Sequence, residues 1–71
     1  MVQFSGTRLR AHREKAGMSR MDLARAIDFA IGPQQISRYE IGAHKRIPLN
    51  VVGAIASALK VSIKDLTDAG S

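Results

Sequence analysis

Few residues in this chain have side chains able to react or to bind a metal. Cysteine is absent, which excludes a thiolate nucleophile, a disulfide and a thiolate metal site. The histidines, His12 and His44, stand singly, with no helical His-x-x-x-His pair and no carboxylate cluster beside them. No serine has a histidine and an acid at a spacing that suggests a triad. The glycines are scattered and form no phosphate-cradling loop. No catalytic residue, metal ligand or cofactor is therefore expected. Cations are abundant instead. Eleven Lys/Arg stand against six Asp/Glu, for a net charge of +5 and a pI near 10.5. Residues 1–46 hold nine basic and four acidic residues, while Lys60, Lys64, Asp65 and Asp68 cancel in residues 47–71. A cationic half joined to a neutral half suits either one polyanion-facing surface backed by a scaffold or a merely soluble basic protein, and composition alone leaves both open. Within the cationic half, Gln34-Gln35-Ile36-Ser37-Arg38 holds side chains suited to base edges. Glutamine pairs two ways with adenine, and arginine two ways with O6 and N7 of guanine.

The elements that position these groups read as helices. No run alternates β-branched or aromatic residues with polar ones. At Met18-Ser19-Arg20-Met21-Asp22-Leu23, Ser19 and Asp22 have capping-box spacing, and Met18 and Leu23 close over the turn as a hydrophobic staple. Val61-Ser62-Ile63-Lys64-Asp65-Leu66 repeats that grammar. Pro33 suits a first helical position, with Ile31 and Ile36 at staple spacing and Gln35 where a capping-box acceptor would sit. Gly17 marks a left-handed cap. Val51, Val52, Ile55, Ala56 and Leu59 form one stripe on a helix that starts near Pro48. These signals predict five short helices, at 5–15, 19–27, 33–41, 48–60 and 62–67. On the third helix, Ile36 belongs inside, and Tyr39 and Glu40 share its side. Gln34, Ser37, Arg38 and Ile41 face away, and Gln35 lies on the flank.

Seventy-one residues suit a single domain, 1–71, with a modest core. Phe4, Phe29 and Tyr39 are the only aromatics, so aliphatic side chains must supply most of the packing. Leu49 to Leu59 is too short to cross a bilayer and is broken by Asn50 and Ser57. Met-Val-Gln-Phe-Ser has no basic region followed by an apolar run, so no secretory signal is expected. A cytoplasmic setting and no membrane partner are the corresponding expectations.

The sequence resembles the phage repressor and Cro family of helix-turn-helix DNA-binding domains over about Thr7 to Leu66. The resemblance is carried by Leu9-Arg10-Ala11-His12-Arg13-Glu14-Lys15-Ala16-Gly17-Met18-Ser19, by Leu23-Ala24, and by Ile36-Ser37-Arg38-Tyr39-Glu40-Ile41-Gly42. It continues through Pro48, Ile55-Ala56-Ser57-Ala58-Leu59-Lys60-Val61-Ser62 and Leu66. It implies an all-α fold, a compact five-helix bundle of the lambda-repressor-like type. The spacing from Ala24 to Ile36 is about two residues longer than usual, and that from Gly42 to Pro48 about one. The first excess falls at Asp28-Gly32, where the motif's tight turn belongs.

The resemblance also implies roles. The helix at 33–41 would enter the major groove, with Gln34, Gln35, Ser37 and Arg38 reading bases. Arg20 stands where relatives often carry a backbone-contacting glutamine, and the helix start adds amide donors. His44, Lys45 and Arg46 lie in a loop that relatives use for phosphate contacts. Pro33 lacks the polar groups that some relatives use at its position. Arg13 and Glu40 occupy positions that form an ion pair in many relatives, orienting the recognition helix. The expected partner is a double-stranded DNA operator bound by a homodimer, with the chain acting as a Cro-type or immunity repressor. An antitoxin, a restriction controller or a protein-interaction module that has lost DNA binding would carry the same domain.

Overall fold

The computed structural model describes residues 4–42 and 47–67. Four α-helices succeed one another: α1 (Gly6–Lys15), α2 (Arg20–Ala26), α3 (Pro33–Glu40) and α4 (Leu49–Leu59). A 3-10 turn, Ile63–Leu66, comes after them. The fifth predicted helix is therefore a single tight turn. Its start signal is genuine, because the Ser62 amide and hydroxyl both donate to the Asp65 carboxylate, at 3.0 and 3.1 Å. The helical conformation stops at Leu66. Thr67 is extended and pairs with Phe4 in an isolated antiparallel bridge. The Leu66 carbonyl accepts the Ser5 amide at 2.8 Å instead of an amide farther along a helix.

The helix starts arise from short-range chemistry. The Ser5 hydroxyl accepts the Arg8 amide at 3.2 Å and caps α1. At α2 the capping box is closed from both sides. Ser19 Oγ accepts the Asp22 amide at 3.0 Å, and Asp22 Oδ2 accepts the Ser19 amide at 3.1 Å. Donation from the Ser19 amide, and secondly from the Ser19 side chain, holds the Asp22 carboxyl below its ordinary range. At α3 the N-cap is Gly32, with no side-chain cap, and Pro33 opens the helix. Pro48 is the N-cap of α4 rather than its first residue.

Three of the four helix ends share one geometry. After α1, the Gly17 and Met18 amides return to the carbonyls of Glu14 and Arg13 at 3.0 and 3.1 Å, with Gly17 at φ 71. This is a Schellman closure. After α2, Asp28 and Phe29 return to Arg25 and Ala24 at 3.1 and 2.8 Å, both with φ 55. After α4, Lys60 takes the left-handed position at φ 58, and Val61 returns to Ala56 at 2.9 Å. Two helices thus close on residues other than glycine.

The core gathers one stripe from each element. Leu9, Leu23, Ile36, Ile55 and Leu66 are fully buried, and Phe4 meets Tyr39 edge to face with ring centroids 6.0 Å apart. Each buried Leu or Ile contributes about 1.5–3 kcal/mol of hydrophobic stabilisation. Met18, Ile31 and Val61, the leading members of the three staples, pack against this cluster. Helix α1 is the exception to apolar patterning, since its buried stripe is Gly6, Leu9 and Arg13. Its attachment depends on an ion pair and on close backbone approach as much as on oil-like contact.

Candidate nucleic-acid interface

Helix α3 packs against both α2 and α1 and presents two faces. Ile36, Tyr39 and Glu40 are buried, while Gln34, Arg38 and Ile41 are exposed. Gln35 and Ser37 are half-buried. Ser37 is thus less outward than helical rotation alone suggests. Of the four base-edge candidates, Gln34 and Arg38 stand clear of the fold and lie one turn apart on the same side. Gly32 and Pro33, at the helix start, are half-buried.

A buried carboxylate holds the inner face. The Glu40 side chain is 1% exposed. Arg13 Nε donates to Glu40 Oε2 at 2.6 Å, and Arg13 Nη2 to Oε1 at 3.3 Å. The third nitrogen, Arg13 Nη1, donates to the Met18 carbonyl at 2.7 Å. Arg13 therefore ties the end of α1 to the end of α3 and to the segment entering α2. The structure adds a partner that sequence reasoning assigns to phosphate alone. Arg20 Nε donates to Glu40 Oε1 at 3.1 Å, and its Nη2 lies 3.1 Å from the same oxygen. Arg20, the first residue of α2, is therefore anchored to Glu40 along one edge while its side chain stays 41% exposed. Fixed charge partners on both sides satisfy a group that would be costly to bury alone.

The start of α2 has fewer free amides than a bare helix terminus. The Ser19 and Asp22 amides are already occupied by the capping box. A phosphate at this position would depend mainly on the Arg20 guanidinium.

Close approach supports the same junction. A Cβ at Gly6 would overlap the Tyr39 carbonyl oxygen and lie 2.6 Å from that of Glu40. Only glycine lets the start of α1 rest on the end of α3. Nothing in local sequence pattern marks this role, because the contacting carbonyls belong to a distant helix. The left-handed pair Asp28-Phe29 also escapes sequence reading, although aspartate tolerates that conformation better than most residues. Phe29, 55% exposed, projects from the enlarged turn. His44, Lys45 and Arg46 lie outside the described residues. Among the described residues, no group of His, Cys, Asp and Glu could hold a metal, and no helix is long and apolar enough to cross a membrane.

A family model described as a helix-turn-helix domain matches residues 6–69. The chain belongs to the helix-turn-helix domain family. Within the matched residues, α2 and α3 are packed together and joined by the turn through Asp28 and Phe29. Two solved structures share this helix-turn-helix fold. The P22 c2 repressor, crystallised with synthetic operator 9T in the presence of Tl+, superposes with a TM-score of 0.77 at 26% identity. That match covers 93% of this chain and 96% of the repressor. The clp gene regulator ClgR from C. glutamicum gives a TM-score of 0.73 at 28% identity, over 86% of this chain and 75% of that one. No curated protein sequence matches the chain.

Proposed function

We propose that this chain is a sequence-specific, double-stranded-DNA-binding transcriptional regulator of the phage-repressor type, a Cro or immunity repressor, and not an enzyme. The observation that carries this reading is the outer face of α3. There Gln34 and Arg38 are exposed on the second helix of a helix-turn-helix pair whose inner face is fixed by Ile36, Tyr39 and Glu40. In this reading α3 enters the major groove, Gln34 and Arg38 read base edges, and Gln35 and Ser37 lie at the margin of the contact. Arg20, His44, Lys45 and Arg46 position the backbone. A structure solved with operator DNA, that of the P22 c2 repressor, supports the assignment by likeness.

One motif reads only a few base pairs, too little discrimination against a genome of competing sites. The active species is therefore proposed to be a homodimer on a two-fold operator, in the cytoplasm. The neutral segment from Val61 onward suits the joining surface better than the cationic half, and Ile63 within it is 40% exposed. Phe29 is a rival contact.

Selection of duplexes from a random pool, followed by titration at several salt concentrations, tests the reading. A recovered consensus, with log affinity falling linearly with log salt, is the expected result. Absence of duplex binding at low salt overturns it.

A further inference from the structure

We propose that Arg20 is shared between the buried Glu40 carboxylate and a DNA backbone phosphate, so that phosphate engagement and the orientation of α3 form one coupled event. The inference rests on the DNA-binding reading above and goes beyond it. It makes Glu40, which DNA does not touch, a positioning residue for affinity.

The geometry separates the roles of the two arginines. Arg13 uses all three of its nitrogens inside the fold, on Glu40 and on the Met18 carbonyl, and its side chain is only 9% exposed. Arg20 commits Nε and Nη2 to Glu40 Oε1. Its Nη1 has no partner among the described residues. A guanidinium is planar and has five N–H donors, so it can bridge two oxyanions on opposite edges. Glu40 fills one edge from the last residue of α3. The other edge is unclaimed among the described residues, on a side chain that stays 41% exposed at the start of α2, where the Ser19 and Asp22 amides are already taken up by the capping box.

This arrangement acts in two ways. The phosphate ligand is held in one rotamer before DNA arrives, which lowers the ordering cost of contact. A phosphate that shifts Arg20 also shifts the carboxylate at the base of α3, and a misplaced α3 in turn misplaces the phosphate ligand. Buried Glu40 thus acts as the joint between backbone contact and base readout. An isolated surface arginine would contact phosphate equally well without any link to α3.

The experiment measures binding of the purified chain to its selected duplex and to a random duplex of equal length. The variants are Glu40→Gln, Arg20→Lys, Arg20→Ala and the double variant Arg20→Ala/Glu40→Gln, with thermal unfolding as a check on folding. Glu40→Gln removes a negative charge, so simple electrostatics predicts tighter binding to every duplex. The proposal predicts the opposite for the selected duplex, a loss of about tenfold, with random-duplex binding unchanged or tighter. Arg20→Lys keeps the charge but cannot bridge two oxyanions. It should weaken the selected duplex several-fold while the salt slope stays as in the parent. The loss in the double variant should fall short of the two single losses combined, with Arg20→Ala alone as the fourth corner of the cycle. Selected-site binding by Glu40→Gln as tight as the parent's overturns the proposal. So does full additivity, or Arg20→Lys behaving as the parent, which also decides the matter should Glu40→Gln fail to fold. A parent that binds no duplex overturns the DNA-binding reading itself, a separate outcome.

Discussion

Glu40 carries a negative charge in a place water barely reaches, and two arginines compensate it. Arg13→Ala removes the deeper of the two and leaves the carboxylate held from one side. Stability should fall by about 3 kcal/mol in urea unfolding. Arg10→Ala is the natural control, since the Arg10–Glu14 pair is exposed at 60% and 55% and should contribute less than about 0.5 kcal/mol. On the outer face, Arg38→Ala should weaken the preferred duplex by about 1–3 kcal/mol and relax one base position. Lys45→Ala should instead weaken all sequences alike, and competition binding across single-base variants would separate the two profiles. The pairing of Arg13 with Glu40 was legible only through resemblance to relatives. The place of Arg20 in the cluster was not legible at all. Its long side chain has many rotamers, and only the packing of α2 on α3 decides that its Nε turns inward to Glu40 Oε1.

Helix starts were written locally, and helix ends less so. Ser19 with Asp22 and Ser62 with Asp65 declare themselves within four residues, and both form the contacts that their spacing predicts. Whether the second start opens an α-helix or a single 3-10 turn depends on the Leu66 carbonyl, whose partner is the Ser5 amide at the other end of the chain. No local window contains that information. The left-handed closures at Asp28 and Lys60, at φ 55 and 58, put side chains where glycine is favoured. Asp28→Gly and Lys60→Gly should each raise stability by about 0.5–1 kcal/mol, measured by thermal or chemical unfolding. The capping carboxylates give a pH signature. Asp22 and Asp65 are both held below the ordinary value near 3.8, chiefly by the Ser19 and Ser62 amides. A depressed folded pKa stabilises the fold above the unfolded value, and that contribution is lost as pH falls through the folded one. Unfolding measured from pH 6 downward should therefore show an acid limb that is flatter in the Asp22→Asn/Asp65→Asn variant.

At the scale of the whole molecule, charge is unevenly divided along the chain. The excess cations lie in residues 1–46, the part that contains α1, α2 and α3, while α4 and the 3-10 turn form the neutral backing. A protein binding an operator in this way should protect two related half-sites about 10 base pairs apart, centre to centre. Footprinting on the selected duplex should reveal both halves. A single protected half-site, with one chain per duplex in native mass spectrometry, would refute the dimer. The family was legible because several short stretches fall in the right order on an independently read helix pattern. The path between α2 and α3 was less so, since the turn through Asp28 and Phe29, both at φ 55, interrupts the spacing from which relatives would be aligned.

The small antiparallel bridge between Phe4 and Thr67, with the Ser5–Leu66 bond beside it, bears on the order of assembly. Every helix closes over a few residues, but this clasp joins positions separated by nearly the whole described chain. Loop-closure entropy grows only slowly with length, so the clasp closes at little cost once the helices have docked and has little to hold before then. It seals the edge of the core where the buried Phe4 and Leu66 lie, and it joins the two ends of the fold directly. A change that loosens one end is therefore felt at the other, far away in sequence but adjacent in space.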